Sequence, residues 1–258
     1  MAAHSGASVR PRDYAEAAER AAIPEGAGER FAGYGIMGLP FRSGDVIAMR
    51  RFPASSLGPG YTSVWHRDAG GRWTFYSDQD LMQSCNRYFG SAVAEAKVTP
   101  IEVQWPEPER IVVQVPGVLT CDARLEATPA TRAMNAMGRA MPDALWRSHV
   151  VLAAMAASAG AVLRAGRLSM QGAAPNGQRF IANPRLIWLI PESTAILHGQ
   201  PLGPVGPLAA QARLGDFWIP QRGLFAVGSA FFEPLDPQRH RAIPTAAVTR
   251  SEGSPDPS

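Results

Sequence analysis

Lysine is almost missing from this chain of 258 residues: Lys97 is the one lysine among 25 basic side chains, and the rest are arginine. With so much alanine alongside, the bias reads first as the codon usage of a GC-rich genome. No basic run is longer than Arg50-Arg51 and the formal net charge is +3, so the clustered basic face that a nucleic acid requires is absent. The pI of 9.2 overstates the basicity, because little titrates between neutral and alkaline pH when lysine is scarce. Cysteine is also rare. Cys85 and Cys121 allow one disulfide and exclude a disulfide scaffold.

Long apolar runs are missing as well. The longest, Val150–Leu163, is too short to span a bilayer, and Met1 to Ala22 holds no apolar segment of the secretory kind. The expectation is a cytoplasmic protein with reduced thiols. The five histidines (His4, His66, His149, His198, His240) never fall close together, so no local metal-ligand spacing exists. Neither a P-loop nor a GxSxG elbow is present. Gly33 to Gly38 matches GxGxxG by spacing, but no strand precedes it and no βαβ unit follows. The reading therefore carries no metal and no cofactor.

The chain is rich in punctuation instead, with 25 glycines and 23 prolines. Both residues interrupt helices and argue against a helical bundle. Apolar residues at 46% argue against disorder, and the length is ample for a core. The expected fold is mainly β, an antiparallel barrel or two-sheet sandwich with one long helical insertion at 129–165. The β-rich domain spans 31–232. The flanks, 1–30 (with a short helix near Tyr14–Ala22) and 233–258, read as a mobile N-terminal segment and a disordered tail.

Tyr61–Asp78 reads as a hairpin around Asp68-Ala69-Gly70-Gly71, paired so that His66 faces Trp73 and Trp65 faces Thr74. Aromatics fall on both faces, so both faces are expected to be covered. Ile101–Trp105 and Ile111–Val115 flank a Pro-Glu-Pro-Glu loop. In Leu119–Thr128 the residues Leu119, Cys121, Ala123 and Leu125 alternate inward. Thr128-Pro129 starts a helix, with Met134, Met137 and Met141 at helical spacing. Pro142-Asp143 restarts it toward Arg164. Asn176-Gly177 is a hairpin turn, followed by strands at Arg185–Ile190, Ala195–His198, Asp216–Ile219 and Leu224–Phe232.

Several residues could carry chemistry. His66 reads either as a core histidine bonded to a carbonyl or as an acid/base group in an apolar pocket. Asp78 and Asp216, beside aromatics, read either as turn carboxylates or as proton donors with raised pKa. Lys97 reads as a solvated strand entry or as a Schiff-base amine. Trp65, Trp73, Tyr76, Tyr88, Trp218, Arg87 and Arg222 are the candidate ligand contacts. In the Met- and Trp-rich helix, Trp146 could sit at a membrane interface, although a strongly basic polar face is lacking.

Gly33-Tyr34-Gly35-Ile36-Met37-Gly38-Leu39-Pro40-Phe41, the hairpin Tyr61–Asp78, and Asn176-Gly177 through Pro184-Arg185 look like a group of bacterial proteins, and the strand order and aromatic strand pattern over residues 32–232 resemble the calycin-like proteins related to carotenoid 1,2-hydratase and the AttH domain. The resemblance implies a lipocalin-like β domain and an apolar substrate of isoprenoid or polyketide kind. It aligns no catalytic residue. Together these readings predict an apolar small molecule in an aromatic-lined β pocket. Cofactor-free hydration or cyclisation would use Asp78 or Asp216 as acid and His66 as proton handler. The alternatives are a non-catalytic carrier of hydrophobic ligands and an interaction module using the apolar helix.

Overall fold

Short alternating apolar segments separated by glycine and proline give fifteen strands in the computed structural model, which describes residues 10–241 and 248–250. They are β1 Glu29–Pro40, β2 Val46–Ser55, β3 Tyr61–Arg67, β4 Trp73–Ser77, β5 Glu95–Val98, β6 Glu102–Glu107, β7 Arg110–Val115, β8 Leu119–Glu126, β9 Gln171–Ala173, β10 Arg179–Leu197, β11 Gln200–Pro201, β12 Arg213–Leu214, β13 Phe217–Trp218, β14 Gly223–Phe232 and β15 Val248–Arg250. The helices are α1 Pro11–Ala18, α2 Asn86–Phe89, α3 Pro129–Ala140 and α4 His149–Val162. One sheet runs in the order β15-β5-β4-β3-β2-β1-β14-β10-β8-β7-β6. Its ladders are antiparallel except at one edge, where β4 and β15 flank β5 in parallel.

The sheet curls strongly into a half-barrel. Trp105 of β6 reaches over to Tyr34 of β1 and Phe225 of β14, with ring centroids 6.3 and 5.7 Å apart. β10 makes the curl possible. Its register shifts occur at Pro184 and between Leu189 and Glu192, beside Pro191, and a bulge is where a strand tolerates proline. The segments expected as two strands, Arg185–Ile190 and Ala195–His198, are therefore one bent strand of 19 residues.

Each face of the sheet has its own core. The inner face packs aliphatic side chains of β1, β2, β7, β8 and β10, such as Ile36, Ile47, Ile111, Val113 and Ile190. The outer face carries Phe31, Tyr61, Trp65, Trp73 and Phe75, covered by Leu81, Cys85, Tyr88 and Phe89 and by Leu214 and Ile219. Burial of both faces agrees with the aromatics on both sides of the Tyr61–Asp78 hairpin.

The register of that hairpin differs from expectation by one residue. Trp65 pairs with Phe75, His66 with Thr74, and Val64 with Tyr76. The loop is three residues, Ala69-Gly70-Gly71, closed by Asp68 and Arg72, with Gly71 at φ 92°. A turn followed by a left-handed residue adds one position to a two-residue loop. That shift brings Trp65 on to the face of Trp73 and Phe75, and takes His66 off it.

The helical insertion, expected as one long insertion restarted at Pro142-Asp143, is two separate helices with the second beginning at His149. Thr128 caps α3 by accepting from Thr131 N at 3.2 Å. The helix ends at Met141 before Pro142, whose ring disfavours helix in the preceding residue. Ser148 then caps α4. α3 lies close against β10, where Asn135 bonds both the N–H and the C=O of Ile187, at 2.7 and 3.0 Å. Gly138 permits this approach, since a Cβ there would meet Arg185 O at 2.2 Å. Trp146 is fully buried and is not an interface anchor.

The flanks are folded as far as they are described. α1 buries Ala15 and Ala18, and Tyr14 packs on Trp188. After β14, Glu233 N bonds Arg179 O, Arg241 N bonds Asn176 O, and β15 extends the sheet. Of the segments expected as tails, 10–30 thus holds α1 and the start of β1, and 233–241 and 248–250 bond to the β domain. Residues 1–9, 242–247 and 251–258 lie outside the described residues. No helix among the described residues is long and apolar enough to cross a membrane.

Candidate functional site

A cavity of ≈ 150 Å³ opens within the outer-face core, between the sheet and the segment from α4 to β13. β2 and β3 contribute Arg50, Tyr61 and Trp65. The α2 region contributes Cys85 and Tyr88, and β10, β13 and β14 add Phe180, Phe217 and Phe232. Ala159 of α4 and Leu163, the residue that follows α4, close one side, and Trp218 and Ser169 are half-buried there.

Arg50 is the one charged side chain among the residues lining this cavity. Strand alternation puts it in line with Val46, Ala48 and Phe52, while Ile47, Met49 and Arg51 face the other core. The pairing of β1 with β2 shifts register between Ile36 and Leu39. The carbonyls at that irregularity, Ile36 O and Met37 O, accept from Arg50 Nη1 and Nη2, and Met49 O accepts from Nη1 at 2.9 Å. The guanidinium carbon lies 4.8 Å from the Trp65 ring centroid and 5.4 Å from that of Phe217. Gly33-to-Gly38, the nucleotide-like spacing, is part of β1 and no phosphate loop. No carboxylate among the described residues pairs with Arg50. Burial lowers its pKa to about 10, against the opposing influence of Cys85 and Tyr61.

Those two neighbours hold their protons. Tyr61 Oη lies 3.4 Å from Cys85 Sγ. Burial pushes the Cys85 thiol up to about 11 and the Tyr61 phenol well above its usual value. At neutral pH the cavity therefore contains one cation among neutral groups. Both cysteines are free and buried.

Beside the cavity, Tyr88 stacks on Phe232 at 3.7 Å and donates to Glu29 at 2.5 Å. Glu29 also accepts from Arg87 Nη2 at 2.6 Å and from Gln178 at 3.2 Å. Burial pushes the Glu29 carboxyl up, but these bonds together outweigh it and hold the group below its usual pKa. Asn176 joins this network to the backbone, donating to Arg87 O at 2.9 Å.

Of the residues expected at the site, Trp65, Tyr88 and Trp218 line the cavity. Trp73 belongs to the same aromatic core without lining the cavity. Tyr76 lies on the opposite face, in the inner core. Arg87 is held by Glu29, and Arg222 reaches Leu163 O at 3.5 Å. The expected acid/base group is dispersed. His66 pairs with Asp45 at 2.8 Å, on the face away from Trp65. Asp78 accepts from Thr62 N at 2.7 Å and closes the end of the β3–β4 hairpin. Asp216 accepts from Ala173 N at 2.9 Å. Each of these three side chains has a local partner, and none lines the cavity. Lys97 pairs with Glu95 at 3.0 Å on β5, as a solvated strand residue does. Among the described residues no group of three or more His, Cys, Asp or Glu side chains is placed to hold a metal.

Sequence reasoning did not place Arg50, Tyr61 or Cys85 among the site residues. One signal was available for Arg50. In Val46–Phe52, one of two adjacent arginines must share a face with Val46, Ala48 and Phe52.

No family model matches the chain, and no curated protein matches it. Two solved structures of acetoacetate decarboxylase align with it at low similarity. One, from Legionella pneumophila subsp. pneumophila str. Philadelphia 1, shares 11% identity over 85% of this chain and 89% of that chain, with a TM-score of 0.39. The other shares 11% identity over 85% and 90%, with a TM-score of 0.38. Likeness at this level carries nothing about activity.

Proposed function

We propose that the protein binds an apolar small molecule in the outer-face cavity, as a cytoplasmic binding protein of the calycin-like kind. The observation that carries this reading is a concave aromatic cavity with very few polar groups, the general character of small-ligand sites. Its size narrows the ligand. A cavity of ≈ 150 Å³ holds about one benzene-sized ring, so a compact ring or branched chain fits where a whole carotenoid does not.

The same observation favours a carrier over a hydratase or cyclase. Protonating an alkene needs an acid within reach of the substrate. Asp78, Asp216 and His66 are all engaged elsewhere, and the protons nearest the cavity floor belong to a buried thiol and a buried phenol that release them reluctantly.

The test is calorimetric titration with benzyl alcohol, on the wild type and on Ala230→Trp, which fills the cavity. Saturable one-to-one binding by the wild type, weakened at least tenfold in the variant, is the expected result. An absence of saturable binding by the wild type overturns the reading.

A further inference from the structure

We propose that the cavity selects a molecule with a carboxylate at one end, and that Arg50 is the residue that binds it. This rests on the cavity being a ligand site and adds the charge and shape of the ligand. Arg50 is 5% exposed and has no acidic partner among the described residues. A buried charge without a counter-charge is strongly unfavourable. Its neighbours Tyr61 and Cys85 keep their protons at physiological pH, and the residues lining the cavity include no other charged side chain. A bound anion would complete the charge balance.

The geometry of the guanidinium specifies which anion. It has five N–H groups in a planar fork. Two bonds leave from Nη1, to Ile36 O and Met49 O, and one from Nη2, to Met37 O. What remains is Nε–H and one Nη2–H. A carboxylate that meets arginine edge-on bonds an Nε–H and an Nη–H together, the bidentate arrangement that arginine makes and lysine does not. Trp65 and Phe217 lie against the guanidinium, which directs a ligand to that edge. One cation in an apolar lining suits a monoanion. A phosphate dianion would bring a second charge with nothing to meet it. The ligand class is then a small apolar carboxylate, with an aromatic or branched body in the room bounded by Phe180, Phe232 and Leu163.

Benzoate and benzamide share size and planarity and differ in charge, so they separate the claims. On wild-type protein at neutral pH, benzoate is expected to bind about 10- to 100-fold more tightly than benzamide, the range of a charge-assisted bond. Arg50→Met should remove that preference, with the affinity for benzoate falling by much the larger factor. Arg50→Lys should restore only part of it. If the wild type binds the two equally, or if Arg50→Met binds benzoate as the wild type does, this inference is overturned and the cavity remains a neutral-ligand site. If neither compound nor benzyl alcohol binds, the underlying reading has failed instead. Should Arg50→Met not fold, the wild type alone decides. Its affinity for benzoate must fall as the pH is lowered through the titration of the ligand's own carboxyl group, while that for benzamide stays level.

Discussion

Arg50 and Arg51 are neighbours in sequence and opposites in circumstance. Arg51 turns toward the inner face and meets Glu19 at 2.9 Å, with Tyr34 bonded to the same carboxylate at 2.8 Å. Arg50 turns toward the outer face and meets backbone carbonyls, aromatic rings and a cavity. The two faces also differ in their packing. On the inner face, aliphatic side chains interdigitate around a smaller ring group that includes Tyr34, Trp188 and Phe225. On the outer face, flat rings pack edge to face, as Phe31 does with Tyr61, Tyr88 and Phe232, and rings of fixed shape leave space between them. One strand can thus build a solid core on one side and a ligand-sized room on the other.

This contrast can be broken or sharpened by substitution. The largest effect is expected from Trp65→Ala, which removes a fully buried ring stacked on Phe75 at 4.6 Å. Truncating such a residue costs about 4 kcal/mol, readable by chemical denaturation. Next comes Glu29→Gln, which strips the charge partner from the half-buried Arg87 and weakens the bond to Tyr88, at about 3 kcal/mol. Because the folded-state pKa of Glu29 lies below its usual value, its stabilisation is complete at neutral pH and is lost as the pH falls through the acid range toward the lowered value. The acid limb of the stability profile should therefore flatten in the variant.

A matched pair tests the faces directly. Ala123→Leu enlarges a residue of the tightly packed inner core and is expected to destabilise by about 2 kcal/mol. Ala226→Leu adds the same atoms toward the cavity and is expected to be neutral or stabilising by about 0.5–1 kcal/mol. Equal penalties would remove the distinction between the faces. The smallest effect is expected from Lys97→Ala, since its pair with Glu95 is largely exposed. The unfolding free energy from chemical denaturation should change by less than about 0.5 kcal/mol.

Much of the fold was legible because it is locally encoded. The inward alternation of Leu119, Cys121, Ala123 and Leu125, the Thr128 cap and the Asn176-Gly177 turn each depend on a few adjacent residues. The hairpin register slipped because one residue of loop length is decided by Gly71 adopting a left-handed conformation. The break in the helical insertion was legible at Pro142, but the second helix starts after Ser148 and not at Pro142-Asp143, because a short turn at Leu145–Arg147 comes first. The cavity was legible only in its aromatics. Trp65, Tyr88 and Trp218 were in view, yet the segments around residues 50, 61–65, 85–88, 180, 217 and 232 meet only once the sheet has curled. His66, Asp78 and Asp216 stood out by chemical type, and their partners Asp45, Thr62 and Ala173 are set by tertiary contacts that no local pattern announces.

The way Arg50 is held bears on how this pocket could change over generations. Its recorded hydrogen bonds are to main-chain carbonyls of Ile36, Met37 and Met49, so substitutions at those positions alter side chains without deleting the acceptors. The ring and alanine positions that shape the room can drift, and the anchor stays where it is. Selection, natural or in the laboratory, can therefore retune which body the pocket accepts without having to rebuild what grips it.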